Sequence, residues 1–204
     1  MQSDYREQLL LHGFQLIEFD SIESTNDEAK KLAKAGAVDG TCVWAHTQYA
    51  GRGSRGRKWE SLDGNLFVSF VLRPRCKVTK ISELTFVTAI AVYTLVSKYL
   101  PKNDDIKCKW PNDILVSKKK ISGILLESST VGRSELEWLV IGVGINLIHY
   151  PDIAVAYPPT SLDDEGAIGM DSGSVLVDFA KVFRQIYQLW QRDGFAAIRE
   201  NWSR

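Results

Sequence analysis

The chain has 204 residues, 45% of them hydrophobic and 25% charged, with a formal net charge of zero. That is the length of one ordinary domain with a sizeable core, and no apolar run approaches the roughly 18 to 20 residues of a membrane span. The start MQSDYREQLLLHGF lacks the basic region, apolar stretch and cleavage site of a secretory signal, so a soluble, cytoplasmic protein is expected.

In chain order, FQLIEFD (14–20) reads as a strand, rich in β-branched and aromatic residues. A helix follows in STNDEAKKLAKAG, with Ser24 or Thr25 as cap, acidic residues in the first turn and Gly36 as the stop. TCVWAHTQ (41–48) and NLFVSFVLR (65–73) are strands, and SELTFVTAIAVYTLVSKYL from Ser82 is a helix apolar nearly all round, to be buried against a sheet. Four more strands follow in IKCKW (106–110), DILVS (113–117), ISGILLES (121–128) and LEWLVIGVGINL (136–147). A last helix carries Val175, Leu176, Phe179, Val182, Phe183, Ile186, Leu189 and Trp190 on one stripe and ends at Gly194. Seven strands clustered between helical ends favour an α+β fold with a mixed sheet over a regular βαβ alternation. No repeat or linker interrupts it, so residues 1–204 are expected to form one unit.

Cys42, Cys76 and Cys108 are odd in number and widely spaced, which suggests buried free thiols and neither a disulfide framework nor a zinc site. His12, His46 and His149 form no helical ligand pair, so a metal held mainly by side chains is not expected. Charge is uneven: Arg52 to Lys120 holds 15 Lys/Arg against 6 Asp/Glu. A basic middle in a neutral protein fits local anion binding, phosphates above all, or else scattered solvated lysines.

The most unusual stretch runs from Gln48 to Trp59, with Gly51, Gly53 and Gly56 among Arg52, Arg55, Arg57 and Lys58. Glycines let backbone N–H groups approach an anion, and arginines supply forked donors for phosphate or carboxylate. The same string also fits a flexible basic loop or an RNA-binding segment; it is neither a Walker loop nor a dinucleotide fingerprint. Lys109-Trp110-Pro111-Asn112-Asp113 sits between two strands, where Pro111 fixes a turn and Asn112 and Asp113 present polar groups at its rim. Lys120 opens a strand in which Gly123 leaves room for a ligand or another backbone. Gly142 and Gly144 lie two apart, hence on one face of a strand of large residues, either a packing seam or the wall of a slot.

Taken together and in this order, these segments resemble the biotin protein ligases. The matching pieces are Ser24-Thr25-Asn26, Gln48 with Gly51-Arg52-Gly53, Lys109 to Asp113, Lys120 with Ser122-Gly123-Ile124-Leu125, and Gly142 to Asn146, with Thr160-Ser161-Leu162 following. The resemblance implies a mixed sheet flanked by helices, similar to class II aminoacyl-tRNA synthetases. It implies ATP-dependent activation of biotin to biotinyl-5'-adenylate and transfer to a lysine of a biotin carboxyl carrier protein, such as that of acetyl-CoA carboxylase. Ser24, Thr25, Asn26, Gln48, Gly51, Arg52, Gly53, Ser54, Gly123 and Gly144 would then form the biotin site. Arg52, Arg55, Lys109, Trp110, Asn112, Lys120 and Asn146 would bind ATP or the adenylate. Arg52, with the Gly51 and Gly53 amides, would hold the phosphate and the biotin carboxylate, Lys120 the α-phosphate, and Asp113 would prepare the acceptor lysine. Mg²⁺ would arrive with ATP rather than at a dedicated site.

Three departures qualify the resemblance. Only about twenty residues precede Ser24, where many relatives carry a DNA-binding domain, so no DNA partner is expected, though a homodimer is compatible. The usual small C-terminal β-barrel would begin near Arg204 and is expected to be absent or truncated. The glycine loop usually reads GRGR, and its last arginine is Ser54 here. The alternatives to a biotin ligase are a lipoate ligase or acyl transferase of the same fold, an RNA-binding module, and a degenerate ligase that only binds biotin.

Overall fold

The computed structural model describes residues 5–101, 105–132, 134–153 and 155–202. Its elements are α1 (Tyr5–Leu11), β1 (Gln15–Ile22), α2 (Thr25–Lys34), β2 (Thr41–Gln48), β3 (Leu66–Leu72), α3 (Ile81–Tyr99), β4 (Ile106–Lys109), β5 (Asp113–Val116), β6 (Lys119–Val131), β7 (Glu135–Ile145) and α4 (Ser172–Trp202). The strands form one seven-stranded sheet in the order β1-β2-β3-β7-β6-β5-β4. Only β1 and β2 run parallel; every other neighbouring pair is antiparallel. The mixed α+β sheet expected from the sequence is therefore present, with each of the seven strands in its expected place.

Successive strand residues point to opposite faces, and this sorts the core. On β3, Leu66, Val68, Phe70 and Leu72 face α3 and α4 and join the main core, as do Leu139, Ile141, Val143 and Ile145 of β7. A second, smaller core lies under α2, where Ala29 and Ala33 meet Val43, Val71, Trp138 and Val140. Because α2 covers only part of that face, the strand residues beyond it look into a cleft.

α3 is long and apolar enough, by length and composition, to cross a membrane, contrary to the sequence reading that found no such run. Here it is a core helix: Leu84, Val87, Thr88, Ala91, Val92, Leu95 and Val96 are buried in the interior. α4 breaks at Gly194, whose φ of 76° is left-handed, and helical turns then resume to Trp202. The expected stop is thus a joint between two helical pieces. α1 was not anticipated. It holds Leu9 in the core, and the Tyr5 hydroxyl donates to Asp171 just before α4 (2.8 Å). All three cysteines are free, but only Cys42 is fully buried; Cys76 and Cys108 are half-buried.

Candidate active site

The cleft lies on the open face of β3, β7, β6 and β5 and has a volume of about 310 Å³. Fourteen of the residues singled out in the sequence line it: Ser24, Thr25, Asn26, Gln48, Arg52, Gly53, Ser54, Lys109, Asn112, Asp113, Lys120, Gly123, Gly144 and Asn146. They come from six separate stretches of the chain, brought together because the register places Asp113 opposite Gly123, Gly123 opposite Gly144, and Gly144 opposite Phe67.

One end is polar. Ser24 caps α2, its side chain accepting from the Asp27 amide. Gln48 Oε1 accepts from the Thr25 amide (2.7 Å) and hydroxyl (3.1 Å), and Gln48 Nε2 donates to Ser61 (2.9 Å). Ser69, fully buried on β3, donates to Asn26 Oδ1 (2.7 Å). Asn26 occupies the space a side chain at 142 would need, since a Cβ there would come within 1.8 Å of its Oδ1. Gly142 is thereby explained as a packing seam.

The middle is a slot. A Cβ on Gly123 would lie 2.7 Å from the Trp59 ring and one on Gly144 2.6 Å from it, so the indole lies flat on the bare strip made by the two glycines. Its Nε1 is buried and has no hydrogen-bond partner among the described residues. Trp59 is not among the residues expected at the biotin or ATP site. The signal was there in Gly123 and Gly144 among bulky strand residues, since a bare strip of this kind needs some flat group to cover it.

The other end is cationic. Asp113, 6% exposed, sits between two lysines. Lys109 Nζ donates to its Oδ2 (3.2 Å), and Lys120 Nζ lies 2.6 Å from Oδ1 in an ion pair off the hydrogen-bond direction. Lys120 also stands over the Trp59 ring (5.3 Å), and Lys109 over Tyr157 (4.7 Å). Asn112 and Asn146 use their amide donors on the Ile124 and Thr160 carbonyls (2.8 and 2.9 Å), holding strand and strap in place while still lining the cleft. Thr160, Ser161 and Leu162 are buried there.

The glycine loop differs from expectation in three ways. The Gly53 amide, expected to face an anion, donates to the Arg57 carbonyl (2.7 Å) because the loop closes on itself as a small hairpin. Gly51 stays out of the cleft and serves close approach: a Cβ there would meet the Trp59 carbonyl at 2.5 Å. Arg52 pairs with Glu127 (2.5 Å) and Asp27 (3.0 Å), since both carboxylates project toward it from β6 and α2. Arg55 and Trp110 lie outside the cleft, in an adjoining groove. Arg55 is turned there by its own left-handed backbone (φ 59°), and Trp110 is 74% exposed. Arg57, not Arg55, reaches Ser54, donating to its hydroxyl (3.0 Å) and carbonyl (3.2 Å) from inside the cleft.

Residues 18–146 match the profile of the Biotin/lipoate A/B protein ligase family. The chain belongs to this family. Over 184 residues it is 37% identical to the biotin--[acetyl-CoA-carboxylase] ligase of Paracoccus denitrificans, covering 88% of this chain and 76% of that one. It is 35% identical to the bifunctional ligase/repressor BirA of Bacillus subtilis, spanning 93% of this chain and 59% of that protein's length. Among solved structures it resembles the biotin protein ligase of Aquifex aeolicus in complex with biotin and ATP (TM-score 0.74, 27% identity, 88% of this chain and 73% of that one). It likewise resembles the Leishmania major enzyme in complex with biotinyl-5-AMP (TM-score 0.75, 25% identity, 91% and 78%). Most of the cleft falls within the family match, whose span contains the polar end, the slot and both lysines, while the wall from Pro151 to Pro159 lies beyond it.

Proposed function

We propose that this chain is the catalytic core of a biotin protein ligase, joining biotin to AMP from ATP and then to a carrier lysine. The observation that carries the reading is a single slot with a hydrogen-bonding end at Thr25 and Gln48, a flat glycine floor, and paired lysines at the far end. Such a slot suits a molecule with a polar ring at one end and a carboxylate at the other. The Gly123 and Gly144 strip takes the ring system, with Trp59 moving aside to lie over it.

In the first step a biotin carboxylate oxygen bonds to the α-phosphorus and the bond to pyrophosphate breaks. Negative charge gathers on the phosphoryl oxygens, where fixed cations lower the barrier. Lys120 and Lys109 supply them, and Asp113 keeps the two ammonium groups apart and aimed before ATP arrives. A Mg²⁺ ion carried by the triphosphate would offset its negative charge and would draw its ligands mainly from phosphate and water. In the second step a neutral acceptor amine attacks the acyl carbon and AMP leaves. Once the lysines turn to phosphate, the Asp113 carboxylate is released to orient that amine and take its proton. The acceptor is a carrier protein of acetyl-CoA carboxylase type, and the reaction belongs in the cytoplasm, where carrier and ATP are found.

Biotin-dependent exchange of labelled pyrophosphate into ATP tests the proposal. We expect exchange with biotin and none with lipoate, and thermal stabilisation by biotin with Mg-ATP beyond the sum of the two alone, because the adenylate fills both subsites. Exchange driven equally by lipoate would transfer the assignment to the lipoate branch of the family.

A further inference from the structure

Glu127 projects from β6 at the edge of the cleft, and its carboxylate gathers three donors, two from α2 and one from the glycine loop. Asn26 donates to Oε2 (3.0 Å), Arg52 to the same oxygen (2.5 Å), and Lys30 to Oε1 (2.9 Å). Asp27 completes the group by pairing with both Lys30 (2.8 Å) and Arg52 (3.0 Å). Two cations therefore balance two carboxylates. Burial would raise the Glu127 carboxyl, but the hydrogen bonds from Asn26, Lys30 and Arg52 outweigh it and hold the group below the usual carboxylate range.

These contacts continue those at the polar end of the slot. From Ser61 the path runs to Gln48 Nε2, from Gln48 Oε1 to the Thr25 amide (2.7 Å), and through Thr25 to its hydroxyl, which lies 2.9 Å from Ser69 Oγ. Ser69 then leads to Asn26 (2.7 Å), Asn26 to Glu127, and Glu127 to Arg52. Both ends of this path are in the same glycine loop: Gln48 and Ser61 pair at its base, and Arg52 stands in its middle. Linked polar groups of this kind stiffen one another, and a defect at one member loosens the rest.

We propose that Glu127 is a positioning residue that closes this polar circuit, so that the glycine loop and the wall reading the polar ring of biotin are held in register with each other. Arg52 is then the loop's anchor in the free protein, and the cations directed at phosphate are Lys120, Lys109 and Arg57. The ligand named here rests on the biotin ligase reading; the circuit itself does not.

Glu127→Gln keeps the size and one acceptor oxygen but removes the charge that holds Arg52 and Lys30. In the ligand-free protein, tryptic cleavage at Arg55, Arg57 and Lys58 should quicken roughly tenfold, the size expected when a charged hydrogen bond becomes neutral. In pyrophosphate exchange the KM for biotin should rise by a similar roughly tenfold factor, while kcat changes by less than about threefold, because ring binding and loop order are lost without touching the phosphate-directed lysines. Ser69→Ala breaks the circuit at a residue that carries no charge and should give the same pair of changes. Far-UV circular dichroism identifies folded variants, and Ser69→Ala supplies the comparison if Glu127→Gln fails to fold. Unchanged cleavage and unchanged KM in a folded variant would overturn the proposal, as would a fall in kcat with KM unmoved. Absence of biotin-dependent exchange in the wild type would instead defeat the ligase reading, and the ligand-free cleavage comparison would still decide the circuit.

Discussion

Neighbouring residues of β3 show how differently the two faces of the sheet are made. Phe70 points toward α4, fully buried, with ring centroids 4.4 Å from Phe14, 5.7 Å from Phe179 and 5.4 Å from Phe183. Ser69, one residue before it, points the other way and is equally buried, yet its surroundings are hydroxyl and amide oxygens at 2.7 to 2.9 Å. The helical face gains stability from apolar area, which is tolerant of direction. The cleft face relies on hydrogen bonds and ion pairs, which are directional and contribute little net stability. Damage should therefore register as lost folding on one side and lost chemistry on the other.

Phe70→Ala should show the largest effect on folding, a loss of about 3 to 5 kcal/mol, because it removes a fully buried ring and leaves a cavity among aromatics that cannot collapse into it. Urea unfolding measures this, and exchange activity per folded molecule should stay near normal. Lys120→Ala is the opposite case. It deletes the cation proposed to face a phosphate and should cut exchange by about 10² to 10³ while moving the urea midpoint little. Near-normal exchange in that variant would remove Lys120 from the reaction. Asp113→Asn lies between, keeping the shape but ending the ion pairs with Lys109 and Lys120. Transfer to the acceptor should fall more than adenylate formation, roughly tenfold more, because a neutral amide cannot accept the amine proton. Equal losses in the two half-reactions, measured separately in single turnovers, would make Asp113 a spacer for the lysines alone.

Much of the fold was legible in the sequence because its strands alternate residues of strong β preference between turn formers, and period is a local property. α1 was not, since seven residues make a poor helix alone and this one depends on Leu9 meeting the core and Tyr5 meeting Asp171. The site's positions were legible in the same way, as motif residues, whereas their partners were not. Nothing local to Arg52 tells that its guanidinium finds Glu127, 75 residues away, instead of standing free for an anion. The outward turn of Arg55 follows from one left-handed backbone angle, and the seat of Trp59 from the pairing of Gly123 with Gly144 across two strands. Side-chain chemistry is written residue by residue, but pairing is decided by register and loop closure.

The smallest expected effect concerns Ser54, and here the structure alters which residue matters. A serine at this place offers one neutral hydrogen bond, and its small side chain leaves room for Arg57 to fold back onto its hydroxyl and carbonyl from within the cleft. The loop thus places the Arg57 guanidinium beside the slot, three residues on from Ser54, in addition to Arg52, which is held by Glu127 and Asp27, while Arg55 stays outside. Exchanging a charged for a neutral contact costs about 1 to 2 kcal/mol, or roughly tenfold in dissociation. Arg57→Ala should accordingly speed release of the adenylate about tenfold and increase stray labelling of bystander lysines, with Arg55→Ala changing neither. Ser54→Arg should slow release only modestly, because the new guanidinium displaces Arg57 from its seat and the loop exchanges one cation for another. Release rates from pre-formed adenylate in the three variants check this. A large slowing in Ser54→Arg with no change in Arg57→Ala would mean that Arg57 never fills the place that an arginine at 54 would take.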